Sequence, residues 1–243
     1  MQDIAYKCYQ VVILLPFIAI LTVFVFGTVS VLCVFFDKDK VMHPLSRIWG
    51  KSIVYASLLP VSVKGLEKLR NNQQYIYVAN HSSYYDVFLL SGFLPFPKRW
   101  MMKRSLERIP FFGSGCRHAG FVFVDKENLS AVKATYHHAL STLREGVSLI
   151  IFPEGCRSDD GHLGKFSQTP VTLANEVQIP IVPITINGTF NVLPHFRRFV
   201  TWHPLGLVVH DPVMPRGASN EQIRIMSQQV YNSVHTGISP RYQ

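Results

Sequence analysis

The chain has 243 residues, 48% hydrophobic and only 16% charged, with a mean hydropathy of +0.17. Soluble domains carry about a quarter charged residues, so this balance points to a membrane-associated protein with a substantial core. The formal net charge of +9 suits an anionic partner; with no zinc-finger spacing, RNP-like aromatic motif or basic heptad region, it argues for anionic lipid over nucleic acid.

Val11 to Phe36 contains no charged residue. As one helix it would reach roughly 39 Å at 1.5 Å per residue, beyond a hydrocarbon core of about 30 Å. It either spans with tilt or breaks at Pro16 or Gly27 and re-enters the same leaflet. The run is too long for a signal peptide, and no small-x-small cleavage site follows it. Lys38, Lys40, Arg47 and Lys51 come after it and only Lys7 before it, which predicts that the rest of the chain faces the cytoplasm. Cys8, Cys33, Cys116 and Cys156 form neither a C-x-x-C pair nor a zinc spacing and fit reduced thiols. Ile53 to Val63 is too short to span, and reads as an interfacial stretch or the first buried element of the domain.

From residue 64 strands and helices alternate. Strands are predicted at 75–79, 121–124, 147–152 and 181–186, with a last short one at 207–210. Pro183 argues that the fourth lies at an edge or bulge. Helices are predicted over Tyr84 to Phe93 and Ser130 to Arg144, and after Ser219, where Gln222 completes a capping box. The last helix would turn Ile223, Met226, Val230 and Val234 to one face. The fold class is therefore α/β: a mixed, mostly parallel sheet flanked by helices, with an N-terminal hydrophobic membrane-anchoring helix or helical hairpin. The predicted division is an anchoring segment over 1–63 and one domain over 64–243.

Four segments carry candidate chemistry. In Asn80-His81-Ser82-Ser83-Tyr84-Tyr85-Asp86, residues five apart on one helix would point about 140° away from each other. His81 and Asp86 meet only if His81 sits in the strand-to-helix turn, where the pattern places it. The carboxylate would then fix the imidazole tautomer and leave the other nitrogen free to take a proton from a hydroxyl. By spacing alone this is as readily a turn histidine followed by a first-turn acid. Phe152-Pro153-Glu154-Gly155-Cys156-Arg157-Ser158 follows the most apolar strand and ends in a polar turn, with Arg157 able to bind phosphate in two-pronged fashion or to pair with Glu154. Lys126 stands just past the strand of Gly120 to Val124, as a second cation. Lys103-Arg104-Ser105-Leu106 and Ile109-Pro110-Phe111-Phe112-Gly113 mix basic and apolar residues, as a lipid-facing or thioester-binding surface would. Trp100 and Trp202 are interfacial anchors or ordinary core residues.

Together these segments resemble the blocks of the glycerolipid acyltransferases, specifically the 1-acyl-sn-glycerol-3-phosphate acyltransferases. The N-H-x-x-x-x-D block matches Asn80, His81 and Asp86, and F-P-E-G-T-R-S matches Phe152 to Ser158 with Cys156 in place of Thr. G-x-x-F-I-x-R matches Gly120 to Lys126, with Lys126 in place of Arg. V-P-V resembles Ile179 to Ile184, and K-x-x-L-x-x-I-P is similar to Lys103 to Pro110. The resemblance runs from about residue 60 to 215. It implies that His81 is the general base, that Asp86 orients it, and that Lys126, Glu154, Gly155 and Arg157 bind the glycerol phosphate. It implies transfer of an acyl group from acyl-CoA or acyl-carrier protein to the sn-2 hydroxyl of lysophosphatidic acid at a membrane, with no metal and no further cofactor. Another lysolipid, glycerol 3-phosphate, or lipid binding without chemistry are the alternatives. A serine hydrolase finds no G-x-S-x-G elbow here, and a cysteine nucleophile would have to be Cys116 or Cys156.

Overall fold

The computed structural model describes residues 2–125, 127–217 and 219–240. Its strands are β1 (Val61–Lys64), β2 (Ile76–Ala79), β3 (Arg99–Lys103), β4 (Val122–Val124), β5 (Leu149–Ile151), β6 (Ile181–Asn187) and β7 (Leu205–Val209). They form one sheet in the order β1-β7-β6-β2-β5-β3-β4. Every neighbouring pair is parallel except β6–β7. This is the mixed, mostly parallel α/β sheet that the sequence predicts.

The strands read as unbroken apolar runs because both faces of the sheet are covered. Tyr75, Tyr77 and Ala79 face one core, and Ile76 and Val78 the other. The first core is closed by α2 (Leu15–Phe35), α3 (Lys38–Ala56), α4 (Tyr85–Phe93) and α5 (Phe112–His118). The second is closed by α6 (Leu129–Arg144), α7 (Thr169–Val177) and α9 (Asn220–Thr236), while a short α8 (Thr189–Val192) follows β6. Asn128 caps α6 by accepting from the Ala131 N–H at 2.8 Å, and the predicted Ser219–Gln222 capping box opens α9. Met226, Val230 and Val234 are buried along α9, as the spacing predicts.

One expectation is corrected. Strand β6 is not an edge: it lies between β7 and β2 and is buried along its whole length. Pro183 is tolerated because its missing donor faces the β7 side one residue beyond that strand's end, where His210 N–H still donates to the Pro183 carbonyl at 3.0 Å. The chain also does not break at Pro16 or Gly27. A π-helical turn (Gln10–Leu14) joins α1 (Gln2–Tyr9) to α2, and the helix continues through Pro16, which follows that wider turn.

Ile4–Phe35 forms a continuous helix of 32 residues containing an 18-residue stretch of mean hydropathy 2.7, long and apolar enough to cross a membrane. It lies against the domain along one side. Phe26 packs on Trp49 at 5.3 Å and on Phe112 at 4.6 Å, and Val25, Val29 and Cys33 are buried beside it. Tyr6 and Tyr9 hydroxyls donate to the Ser57 and Ala56 carbonyls at 2.7 and 2.8 Å. The helix ends at Phe35; Asp37 then caps α3, which packs back on α2 and makes the N-terminal region a helical hairpin. At the crossing of α3 and α4, Gly50 and Gly92 let the backbones meet, since a Cβ on Gly50 would strike the Phe88 carbonyl. Ile53 to Val63 ends α3 and enters β1, so the expected division at residue 63 falls inside a strand of the sheet.

Candidate active site

The parallel strands β2 and β5 end side by side, and the two motif turns leave from those ends, the crevice where α/β sheets hold ligands. Asn80 closes the end of β2: its side-chain amide donates to the Ile186 carbonyl at 2.9 Å and accepts the Ile186 N–H at 2.8 Å, extending the pairing with β6. The turn that follows wraps around Asp86, in the first turn of α4 and completely buried. One oxygen of Asp86, Oδ2, meets His81 Nδ1 at 2.7 Å and accepts the N–H groups of Ser82 and Ser83 at 2.7 and 2.8 Å. The α4 N-terminus adds its positive end to the same carboxylate. The predicted pairing is thus present, and the turn placement explains how residues five apart converge.

Histidine 81 is held on three sides. Its Nδ1 faces Asp86, its ring lies flat on Phe152 at 3.9 Å and 6°, and its backbone carbonyl accepts the Ser158 N–H at 2.9 Å. No described residue bonds Nε2. With Nδ1 carrying the proton toward Asp86, Nε2 is left as an acceptor. Phe152 was singled out only as the first residue of its motif; its position directly after a strand parallel and adjacent to β2 is the signal that brings it to His81.

Glu154 ties the two motifs together. Its Oε1 accepts the His81 N–H and its Oε2 the Gly164 N–H, both at 2.8 Å. Burial pushes its carboxyl pKa up, and these two bonds oppose the rise. Both oxygens are therefore taken by backbone donors rather than turned to an acceptor. Gly155 allows the tight turn, with φ +75°. Arg157 lies over the Tyr84 ring at 3.9 Å, and its Nη1 is buried with no hydrogen-bond partner. An unpaired buried guanidinium nitrogen is costly and fits an anion that would fill it. Tyr84, from the same turn as His81, was not singled out by the sequence reading. Cys156 is exposed and its thiol free.

The remaining candidates lie at the same edge of the sheet. Lys103 ends β3 and is exposed. Arg104 follows it and makes loose ion pairs with Glu107 at 3.8 Å and Asp125 at 3.7 Å. Lys126 lies outside the described residues; Asp125, before it, follows the end of β4. Of the two tryptophans proposed as anchors, Trp100 is core and touches Phe152, whereas Trp202 is exposed.

The family model described as Acyltransferase matches residues 60–187. The chain is 27% identical over 178 residues to the chloroplastic 1-acyl-sn-glycerol-3-phosphate acyltransferase BAT2 of Brassica napus, covering 72% of this chain and 51% of that protein. It is 27% identical over 191 residues to the human 1-acyl-sn-glycerol-3-phosphate acyltransferase alpha, covering 78% and 68%. The chain spans about half the length of the Brassica, Arabidopsis and Cocos relatives it matches. The crystal structure of the 1-acyl-sn-glycerophosphate (LPA) acyltransferase PlsC from Thermotoga maritima superimposes with a TM-score of 0.81, at 28% identity and 97% coverage of both chains.

Proposed function

The chain belongs to the acyltransferase family, and from that premise we propose that it transfers a fatty acyl group from a thioester to the sn-2 hydroxyl of lysophosphatidic acid, giving phosphatidic acid. The observation that carries this reading is the His81–Asp86 pair at 2.7 Å with Nε2 unbonded. As the acceptor hydroxyl oxygen attacks the thioester carbonyl, His81 Nε2 takes its proton. The new C–O bond forms a tetrahedral oxyanion; its collapse breaks the C–S bond, and the imidazolium returns the proton to the thiolate. Asp86 holds the tautomer and offsets the transient positive charge on the ring. The acceptor hydroxyl is itself the nucleophile, so no acyl-enzyme on Cys156 is required.

The phosphate monoester of lysophosphatidic acid is assigned to the unfilled Nη1 of Arg157, with Lys126 as a second cation. Glu154 and Gly155 act on that site by shaping the turn. Lys103 and Arg104 are assigned to the donor side, where acyl-CoA and acyl-carrier protein both bring negative charge. The chain works at a membrane, with the domain on the cytoplasmic side that the lysines and arginines after the apolar helix favour.

The test is acyl transfer by the detergent-purified protein, with labelled acyl-CoA or acyl-carrier protein and a panel of lysolipids. Phosphatidic acid should form with wild type and fall by about 10²–10⁴-fold in His81→Ala. Undiminished transfer in that variant removes His81 as the base. Binding of lysolipid without transfer from either donor would leave a lipid-binding protein.

A further inference from the structure

Residues 193–202 form an exposed loop between α8 and β7 that alternates aromatic and basic side chains. Phe196 and Trp202 are each 59% exposed and Phe199 38%. Arg197 and Arg198 are exposed between them; the Arg197 guanidinium donates to the Thr201 hydroxyl at 3.4 Å, and no carboxylate of the described residues pairs with either. A water-facing loop gains nothing from three exposed aromatic rings, whereas aromatic rings beside unpaired arginines suit the boundary between lipid headgroups and acyl chains.

The loop is also joined to the N-terminal helix. The Gln10 side chain bonds both the carbonyl and the N–H of Val200, at 2.8 and 2.7 Å. Trp202 Nε1 donates to the Leu58 carbonyl at 2.9 Å, and Leu58 is itself an exposed apolar residue held at φ +58°. Val11, Val12 and Ile13, next to Gln10, are exposed on the apolar helix. The helix and the loop therefore carry exposed apolar residues side by side, and the loop adds two arginines with no carboxylate partner among the described residues, near the exposed Lys7 of the helix.

We propose that residues 193–202 are a second membrane-docking element, which seats on an anionic bilayer with its rings among the acyl chains and Arg197 and Arg198 on lipid phosphates. The loop is bolted to the turn that carries His81: Ser83 Oγ donates to the Leu193 carbonyl at 2.7 Å and Ser83 pairs with Pro194, while the Ser82 hydroxyl meets that of Thr189 in the preceding α8 at 3.0 Å. Docking would thereby fix the height of the His81 turn above the headgroups, so that a lipid acceptor need not leave the bilayer to reach it. The continuity with the apolar helix favours lipid over an acidic protein as the occupant.

The experiment does not depend on the acyl-transfer reading. The chain has three tryptophans, and Trp49 and Trp100 are buried, so Trp202 is the reporter of the loop. The full chain is reconstituted into vesicles whose acyl chains carry bromine, which quenches indoles in contact with them. Quenching should be strong with phosphatidylglycerol present, weaker in pure phosphatidylcholine, and largely lost in Trp202→Phe. The double variant Arg197→Gln/Arg198→Gln should quench equally in both lipids. Equal quenching of wild type and Trp202→Phe overturns the proposal, as does no quenching in either lipid, the outcome expected if the loop receives a protein. Quenching through Trp202 that ignores lipid charge in wild type overturns the role of the two arginines.

Discussion

Tyr84 occupies the third position after His81, yet its ring serves Arg157, 73 residues further along the chain, by stacking at 3.9 Å. A cation over an aromatic face gains about 0.5–2 kcal/mol, and here the stack also fixes which way the guanidinium fork opens. Tyr84→Leu should raise KM for a phosphorylated acceptor by several-fold and leave kcat near wild type, while Tyr84→Phe keeps the ring and should behave as wild type. A fall in kcat with unchanged KM would place Tyr84 with the reacting atoms instead. Arg157→Ala should raise the same KM by about 10- to 100-fold, given roughly 1.5–3 kcal/mol for a hydrogen bond to a charged group; an effect on the thioester donor's KM instead would move the anion site. The meeting of His81 and Asp86 was legible in the sequence because the other motif blocks stand in the right order beside it; their separation alone permits a turn but does not demand the pair. The Phe152 stack, the Glu154 brace and the Tyr84 platform were not, because each depends on which strands lie side by side, and no local spacing records that.

At the scale of elements, the strands with unbroken apolar runs were legible and β3 was not. Its sequence, Arg99 to Lys103, carries charge at both ends; Arg99 is buried there by ion pairs to Asp39 at 3.4 Å and Glu145 at 3.2 Å. Helix α3 was hidden in the same way, as a charged flank with Pro44 inside it. The approach to β3 holds Lys98 in the core, where its Nζ donates to the carbonyls of Leu94 and Phe96, both at 3.2 Å. Burial, with Arg47 nearby, brings its pKa down from 10.5 to about 7. The folded protein therefore holds this proton less tightly than the unfolded chain, so stability should rise as pH climbs from about 7 toward 10.5 and lie flat below that window for this group. His43 on α3, lowered by burial and by Lys98 from 6.5 to about 4, costs stability in a separate, lower window as pH falls. Thermal melts in detergent across pH 7–10 should show this slope in wild type and lose it in Lys98→Met. A slope that survives the substitution would locate its origin elsewhere.

For the molecule as a whole, the decisive question is whether the apolar helix is an accessory tether or part of the fold. A tether would expose its whole circumference to lipid, and cutting it away would release a soluble domain. Here Phe26, Val25 and Val29 are buried in the same core as Tyr77, Ile150 and Val182 of the central strands, and Phe26 fills the space between Trp49 and Phe112. The rest of the helix, with Ile20, Val23, Phe24, Val31 and Phe35, is open. Apolarity alone made the helix legible in the sequence, but a segment apolar all round carries no mark of which side the domain occupies. Removing the buried Phe26 ring should cost about 3–5 kcal/mol, the usual range for Phe→Ala in a core. Phe24→Ala, two residues away on the open face, should leave the melting temperature of the detergent-solubilised protein nearly unchanged. Deleting residues 1–37 should then yield an aggregated chain and not a soluble enzyme, because it strips one side from the core that supports β2 and the His81 turn. Equal melting temperatures for Phe26→Ala and Phe24→Ala, or a soluble and active truncation, would return the helix to the status of a tether.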